Sequence, residues 1–288
     1  MHLVDGTYEL FRQFFGQPSH RTEAGEEVAA IRGVLSSTLG LVSEGATHVG
    51  VATDHVIESF RNQLWPGYKT SAGVPAELLS QFGPLEEALS AMGVMVWPMV
   101  ELEADDAMAS AVAVATPDPA VAQVIICTPD KDLGQCVAGS RVVQLDRRRR
   151  TIIDEAAVRE RYGVGPASIP DWLALVGDSA DGFPGLPGWG SKSASAVLSR
   201  YDHLEAIPED PRTWGVDVRG SQGLAATLVE RRADALLFRR LATLVVEPSL
   251  LADVDELRWR GPTPSFPALC RSLGAPNLAS WADQLAER

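Results

Sequence analysis

Cysteines, basic residues and long apolar runs are all scarce in this sequence of 288 residues. Its three cysteines, Cys127, Cys136 and Cys270, lack the spacing of a metal site and fit reduced thiols in a reducing compartment. No run of about 18 apolar residues occurs, and the N-terminal segment MHLVDGTYEL has no basic stretch before its apolar residues. We therefore predict a cytoplasmic protein with neither a membrane span nor a signal peptide.

Positive charge is also scarce. The chain has 25 Lys and Arg residues against 38 Asp and Glu residues, which gives a formal net charge of −13 at pH 7. Because a general nucleic-acid binder needs a basic face, any such binding must here be local and assisted by metal ions. The sequence contains no P-loop and no GxGxxG motif, which argues against nucleotide hydrolysis of the usual kinds.

Strand-like and helix-like segments alternate in the first half of the chain. The strand candidates cover residues 2–4, 47–53, 94–100 and 121–128, and the helix candidates between them cover residues 28–44, 82–92 and 107–115. This alternation predicts an α/β fold in which a mostly parallel central sheet has helices on both faces.

The second half of the chain has a different pattern. Residues 142–146 and 151–153 indicate a hairpin whose tip, Arg147–Arg150, is either a basic binding surface or a solvated turn. The remainder is predicted to be helical, over residues 155–162, 170–176, 224–245, 266–273 and 278–286.

Three of the strand candidates end at an aspartate: Asp5, Asp54 and Asp130. Ligands of parallel α/β sheets bind beyond the carboxyl ends of the strands, so we expect these residues to converge. Burying several carboxylates together costs too much free energy unless cations neutralise them. Oxygen ligands without nearby His or Cys favour Mg²⁺ or Mn²⁺.

Further carboxylates lie in short clusters beside apolar segments. With the three above, the candidate metal ligands are Asp5, Asp54, Glu103, Asp105, Asp106, Asp130, Asp132, Asp178 and Asp181. Nine carboxylates suit a pair of ions about 3.5–4 Å apart, the arrangement that cleaves phosphodiester bonds.

A Gly/Pro-rich stretch, Pro184–Lys192, repeats Pro-Gly around Leu186 and places Gly190 before a helix-forming run. Bare backbone N–H groups at a helix start bind phosphate, and hydrogen bonds to phosphate oxygens carry no base-sequence information. The stretch therefore indicates either a helix–hairpin–helix that holds a nucleic-acid backbone or a plain loop between two helices.

Together these motifs resemble the 5′→3′ exonuclease and flap endonuclease family, which includes the nuclease domain of bacterial DNA polymerase I. They follow in the family's order over about residues 1–201: Val4-Asp5-Gly6, Phe60-Arg61 with Tyr68-Lys69, Glu103-Ala104-Asp105-Asp106, Asp130-Lys131-Asp132-Leu133, and Gly177-Asp178-Ser179-Ala180-Asp181 before Pro184–Lys192. The resemblance implies a PIN-like nuclease core over residues 1–163, with an arch segment at about 70–93. It also implies a C-terminal helical region over residues 164–288, with the helix–hairpin–helix at about 184–201.

The resemblance assigns roles to single residues. It gives the first metal ion to Asp5, Asp54, Glu103 and Asp105 with Asp106 beside them, and the second to Asp130, Asp132, Asp178 and Asp181. It implies a K⁺ or phosphate site on the backbone of Gly185, Leu186, Pro187, Gly188 and Gly190, and DNA contacts at Gly188, Gly190, Ser191 and Lys192. Lys69 and Arg61 would approach the scissile phosphate, where Lys69 stabilises developing charge.

The arch segment departs from the family pattern. Ala72 stands at about the position of a family arginine, and no Lys or Arg occurs between residues 70 and 130. Fewer phosphate contacts weaken DNA binding, which leaves open whether a 5′ flap threads through this segment. Its apolar residues, including Leu78, Phe82 and Leu85, have helical spacing, typical of a helix packed on the core or of a wedge for the displaced strand. The aromatic residues near Asp5, which are Tyr8, Phe11, Phe14 and Phe15, either stack on terminal bases or belong to the core.

Two main functions remain open, beside a weaker third, a two-metal ribonuclease of related α/β architecture. The first is a metal-dependent 5′→3′ exonuclease or 5′-flap endonuclease that hydrolyses DNA at junctions, ends or nicks in replication or repair. It would act as a monomer, beside a DNA polymerase in trans. The second is a non-catalytic DNA-junction binding protein. The carboxylates favour the nuclease, because a pure binding module gains nothing from holding mutually repelling acids around phosphate.

Overall fold

All residues, 1–288, are described by the structure, a computed structural model. Its strands are β1 (His2–Asp5), β2 (Val49–Asp54), β3 (Met95–Met99), β4 (Val124–Cys127), β5 (Val142–Asp146) and β6 (Thr151–Ile153). Its α-helices are α1 (Gly6–Gly16), α2 (Ala29–Ser43), α3 (Arg61–Leu64), α4 (Ala76–Leu79), α5 (Phe82–Ala91), α6 (Ala104–Ala115), α7 (Glu155–Tyr162), α8 (Ile169–Val176), α9 (Ser191–Tyr201), α10 (Ser221–Glu230), α11 (Arg232–Ala242), α12 (Phe266–Ser272) and α13 (Pro276–Ala286).

These elements divide into two compact units, each built from segments that are distant in the sequence. The first unit contains residues Met1–Ile57, Ser71–Thr128 and Val246–Arg288, and the second contains Glu58–Thr70 and Pro129–Val245. The division into domains at residues 163 and 164 stays a prediction.

Four parallel strands form the sheet of the first unit, in the order β3-β2-β1-β4. Val4 of β1 pairs with Val51 of β2 on one side and with Cys127 of β4 on the other. Val4, Val51 and Cys127 are all inaccessible to solvent, as expected for parallel strands that are covered on both faces. The prediction of an α/β fold with a mostly parallel sheet is confirmed.

Helix α1 is an element that the sequence patterns did not indicate. It starts directly after β1 because Asp5 acts as the N-cap and accepts a hydrogen bond from Tyr8 N at 2.8 Å. A Cβ atom at Gly6 would lie 2.8 Å from the Ala52 carbonyl oxygen, so only glycine lets the helix begin this close to β2. The helix exposes Phe15 and leaves Phe11 half-buried.

The arch segment contains two helices, α4 and α5, which pack on the core of the first unit. Leu78, Leu85 and Leu89 are fully buried, and Phe82 is nearly so. The prediction of a helical apolar face packed on the core is confirmed, and these residues are not available as a wedge.

The second unit contains the predicted hairpin, in which β5 and β6 pair in antiparallel orientation. Asp146 fixes the turn, because its Oδ1 accepts hydrogen bonds from the backbone N–H groups of Arg148 and Arg149 at 3.0 Å. Arg150 closes the turn with a φ of 55°. The side chains of residues 148–150 are exposed, so the tip presents its positive charge to solvent.

Aromatic residues hold the core of the second unit around the loop that follows α8. Phe183 in this loop stacks on Phe238 of α11 with ring centroids 5.8 Å apart, and both rings are buried. Trp65 Nε1 donates a hydrogen bond to the Gly182 carbonyl oxygen at 3.0 Å. The loop is therefore anchored on both sides.

The single helix predicted over residues 224–245 is wrong. The chain forms α10 and α11 instead and breaks at Arg231, whose φ of −111° and ψ of 29° are not helical. The break gives each helix its own buried face, with Leu224 and Leu228 on α10 and Phe238 and Leu241 on α11. Helical spacing in the sequence does not reveal such a change of direction, because both segments share the same period.

A buried carboxylate on α8 ties together three parts of the second unit. Asp171 is 2% exposed and accepts hydrogen bonds from Leu204 N at 3.1 Å and from Arg239 Nη1 at 3.0 Å. Its Oδ2 also lies 2.9 Å from His203 Nδ1. Arg239 in turn pairs with Glu205, and this hydrogen bond lowers the pKa of Glu205 to about 2.

We expect Asp171→Ala to lower the free energy of unfolding by about 3 kcal/mol, because it removes a buried carboxylate that accepts from a partly exposed guanidinium and from a buried backbone N–H. Chemical denaturation measures this change. The control is Glu205→Gln, which removes a half-exposed partner of the same arginine and should cost less than about 1 kcal/mol. Since the pKa of Glu205 is depressed, its contribution is present above the ordinary value of 4.5 and is lost as the pH falls toward about 2. Equal losses in the two variants at neutral pH would contradict the buried network.

Candidate metal centre

The carboxylates of the first unit lie at the ends of strands and at the starts of helices. Asp5 ends β1, and its Oδ2 accepts a hydrogen bond from Thr128 Oγ1 at 3.0 Å. Asp54 ends β2, and its Oδ1 accepts a hydrogen bond from Ala104 N at 2.8 Å. Both carboxylates are largely buried, and backbone N–H groups stabilise their negative charge.

The acidic motif of residues 103–106 opens α6. Asp106 is fully buried, and its Oδ2 accepts a hydrogen bond from Glu103 N at 2.9 Å. This contact resembles the reciprocal part of a capping box, so Asp106 has a structural role at the start of α6. Glu103 is also buried, and Asp105 is half-buried.

The second unit brings three of the predicted ligands together. One carboxylate oxygen from each of Asp132, Asp178 and Asp181 lies within 4.8 Å of the others. Asp132 begins a short 3-10 helix, Asp132–Cys136, while the other two follow α8 in a tight turn. Asp130 lies beside them, and its Oδ1 accepts a hydrogen bond from Asp132 N at 3.1 Å.

Asp132 is a buried carboxylate whose charged form is disfavoured by its surroundings. Burial raises its pKa well above the ordinary value, and repulsion from Asp130, Asp181 and Asp178 raises it further. Its Oδ1 is buried and has no hydrogen-bond partner. A buried carboxylate oxygen without a donor, beside further carboxylates, fits a divalent cation with oxygen ligands. Asp132, Asp178 and Asp181 therefore have the chemistry to hold such an ion.

Two lysines partly neutralise the cluster. Lys131 Nζ lies 2.7 Å from Asp178 Oδ2, and Lys69 Nζ lies 3.2 Å from Asp181 Oδ1. Burial opposes the charged form of Lys131, yet its hydrogen bond to Asp178 and the nearby negative charges raise its pKa. Lys131 was not among the predicted site residues, although its place between Asp130 and Asp132 was the signal.

Two glutamines, which were also not among the predicted site residues, hold the main chain of the acidic loop. Gln144 Nε2 donates a hydrogen bond to the Asp130 carbonyl oxygen at 2.6 Å, and Gln135 Nε2 donates one to the Asp132 carbonyl oxygen at 2.8 Å. The same Gln135 nitrogen also reaches the Ala242 carbonyl oxygen at 3.0 Å. No local motif identifies such residues, because their partners are main-chain atoms that the fold brings near.

Arg61 lies in the interior of the second unit. It is 1% exposed, and its Nε and Nη2 donate hydrogen bonds to the carbonyl oxygens of Leu241 and Thr243 at 2.8 and 3.2 Å. These contacts stabilise the end of α11, so Arg61 has a structural role. Its approach to a scissile phosphate stays a prediction.

The Gly/Pro-rich stretch forms a tight hairpin between α8 and α9. Leu186 N donates a hydrogen bond to the Leu175 carbonyl oxygen at 2.9 Å. Gly185 has a φ of +70°, and a Cβ atom there would lie 2.4 Å from Gly177 N. Helix α9 then starts beside an open groove of about 510 Å³, which Gly188, Gly190, Ser191, Lys192 and Arg219 help to line. Two helices joined by a tight hairpin are the arrangement predicted for this stretch, and its binding to a nucleic-acid backbone stays a prediction.

Family models match nearly the whole chain. A model described as the N-terminal resolvase-like domain of 5′-3′ exonucleases matches residues 1–163, and one described as their C-terminal SAM fold matches residues 164–265. The fold and the carboxylate motifs thus define an α/β protein of the nuclease class. The chain belongs to the 5′-3′ exonuclease family.

Curated relatives support this membership. The chain is 33% identical to DNA polymerase I of Pseudomonas aeruginosa, over 98% of this chain and 31% of that protein. It is also 33% identical to DNA polymerase I of Mycobacterium leprae, over 89% of this chain and 28% of that protein. The chain therefore spans about a third of the length of the curated relatives it matches.

Solved structures share the fold. A bacteriophage T5 5′-exonuclease with bound divalent zinc ions superposes with a TM-score of 0.67 at 17% identity, covering 100% of this chain and 98% of that chain. Flap endonuclease-1 from Methanococcus jannaschii gives a TM-score of 0.57 at 16% identity, covering 99% of this chain and 91% of that one. In the present structure, no helix is long and apolar enough to cross a membrane.

We expect Mn²⁺ to raise the melting temperature of the wild type and to raise that of Asp132→Asn less, because the carboxylates of the first unit remain in the variant. An ion at about 100 times its Kd stabilises the folded state by about 2.7 kcal/mol. Without metal, the variant should melt above the wild type, because it loses a buried charge that repels its neighbours. Melting curves with and without Mn²⁺ measure both effects. Equal metal-dependent shifts in the two proteins would show that Asp132 is not a ligand.

We expect Gly185→Ala to destabilise the protein more strongly than Gly188→Ala. Both glycines have positive φ angles, 70° and 84°, so each substitution carries a backbone cost of about 1–2 kcal/mol. At Gly185 the new Cβ would also meet backbone atoms, whereas at Gly188 the nearest atom is Leu224 Cδ2 at 3.6 Å. Denaturant midpoints compare the two. Similar midpoints would show that contacts between the new Cβ atom at Gly185 and nearby backbone atoms do not destabilise the hairpin.

Proposed function

We propose that this chain is a metal-dependent, structure-selective 5′ nuclease that hydrolyses DNA phosphodiester bonds at flaps, nicks or ends. The observation that carries the proposal is the cluster of Asp132, Asp178 and Asp181, in which a buried carboxylate oxygen has no hydrogen-bond donor. Membership of the 5′-3′ exonuclease family supports it. The T5 relative with bound divalent zinc supports the choice of a metal.

Two groups of carboxylates would hold a pair of Mg²⁺ or Mn²⁺ ions. Asp5, Asp54, Glu103 and Asp105 would hold one ion, and Asp130, Asp132, Asp178 and Asp181 the other. When bound, such ions activate water and neutralise charge on a phosphate that is being cleaved. Strand ends and helix starts keep the carboxylates of the first group in place, which limits their reorganisation.

Lys69 and Lys131 would stabilise negative charge at the substrate phosphate. Each now neutralises an aspartate of the cluster, Asp181 and Asp178 respectively. Their carboxylate partners would turn toward divalent ions that bind, and the ammonium groups would then be available to phosphate oxygens. Lys69 is the predicted catalytic lysine, and Lys131 is a second candidate for the same role.

The helix–hairpin–helix would hold duplex DNA by its backbone. Gly188, Gly190, Ser191 and Lys192 line an open groove at the start of α9, where backbone N–H groups bind phosphate without reading bases. The turn from Gly185 to Gly190 would bind K⁺ through its carbonyl oxygens. The similarity to DNA polymerase I supports a role in replication or repair, beside a DNA polymerase.

The test is cleavage of a 5′-labelled flap and of a matched nicked duplex with Mg²⁺ or Mn²⁺. We expect Asp178→Asn to lower kcat by more than about 100-fold, beyond the usual effect of residues that only orient a metal ligand. The matched control is Asp255→Asn, an exposed aspartate whose loss should leave cleavage unchanged. Binding of the same DNA by a wild type that does not cleave would contradict the proposal and identify a junction-binding protein.

A further inference from the structure

Glu86 is a buried carboxylate of the first unit that lies outside the predicted metal ligands. It belongs to α5 and is 8% exposed. Its Oε1 accepts a hydrogen bond from Thr53 Oγ1 at 2.6 Å, and its Oε2 lies 2.7 Å from His55 Nδ1. Thr53 and His55 are the two neighbours of Asp54, so one carboxylate spans the end of β2.

The geometry of a strand separates the two sides of this arrangement. Successive side chains of a strand point to opposite faces, so within β2 Asp54 points away from the face on which Thr53 meets Glu86. On the other side, Asp54 Oδ1 accepts a hydrogen bond from Ala104 N at 2.8 Å. The Asp54 main-chain N–H donates to Thr7 Oγ1 at 2.7 Å. Contacts on both sides therefore fix the end of β2.

We propose that Glu86 is a positioning residue for Asp54. By holding both neighbours of Asp54, it sets the direction of the Asp54 carboxylate before any metal ion binds. The inference rests on the proposed function, because the direction of Asp54 matters to chemistry only if Asp54 binds a catalytic ion. Residues that orient a metal ligand contribute to metal affinity although they do not touch the ion.

This role would make the arch segment part of the metal site, in place of the basic phosphate contacts that the family's arch provides. The segment has no Lys or Arg, so it has no basic side chain for phosphate. Through Glu86 on α5 it instead contributes a buried acid that acts on the end of β2. The arch segment would then affect metal binding more than DNA binding.

The test compares Glu86→Leu with Glu87→Leu, a matched change on the same helix at an exposed position. Mn²⁺ binding to the DNA-free protein is measured by titration calorimetry, and kcat and KM for a flap substrate are measured at several Mn²⁺ concentrations. We expect Glu86→Leu to weaken Mn²⁺ binding about 10-fold and to leave KM for DNA within about twofold. Glu87→Leu should behave as the wild type in both measurements.

Two further variants separate positioning from loss of structure. Glu86→Gln keeps an acceptor for Thr53 and should recover most of the Mn²⁺ affinity. The double variant Thr53→Val/Glu86→Leu leaves no buried hydroxyl without a partner, so it should fold even where Glu86→Leu is unstable. Its Mn²⁺ binding should be as weak as that of Glu86→Leu.

Asp54→Asn serves as the reference for a lost ligand. If Asp54→Asn weakens Mn²⁺ binding while the double variant binds Mn²⁺ as Glu87→Leu does, the positioning role is overturned and the proposed function stands. If the wild type neither binds Mn²⁺ nor cleaves DNA, the positioning role and the proposed function both fall.

Discussion

Repulsion between buried carboxylates is the constraint on which the second unit depends. Asp132, Asp178 and Asp181 share a small volume, and Asp132 has an oxygen without a donor. Lys131 and Lys69 relieve part of the repulsion by pairing with Asp178 and Asp181. A fold selected for stability alone would place apolar residues here. The cost in stability is understandable when the cluster serves a ligand, because functional sites are commonly less stable than the rest of a protein.

The residues around this cluster offset the carboxylate repulsion through hydrogen bonds to the main chain and through packing. The loop that carries Asp178 and Asp181 is anchored by Trp65 at Gly182 and by the stacking of Phe183 on Phe238. Gln135 and Gln144 hold the acidic loop from its other end. These residues keep like charges together without adding charge of their own, so the cluster keeps its negative potential.

The first unit stabilises its buried carboxylates in a different way. Its carboxylates lie where helices start, so that backbone N–H groups and the helix dipole stabilise them. Asp5 caps α1, Asp106 accepts from the N-cap residue of α6, Glu103, and Asp54 accepts from Ala104 N. One set of residues thus builds the helix starts and supplies the candidate ligands. Glu86, which bonds to both neighbours of Asp54, extends this arrangement to the opposite side of β2.

The sequence by itself determined the class of fold, the order of the strands and the identity of the acidic residues. Alternating strand and helix patterns are local, and aspartates at strand ends follow from the chain order, so both are readable without coordinates. The helix break at Arg231 depended on which faces could be buried, and a single period does not specify that. The immediate start of α1 depended on the Asp5 cap and on the close approach of Gly6 to Ala52 of β2. Only the tertiary structure decided that Lys131 pairs with Asp178, that Arg61 is buried against Leu241 and Thr243, and that Glu86 meets Thr53 and His55. These contacts join residues that lie from 31 to 182 positions apart in the chain, and such pairs have no signal in local sequence.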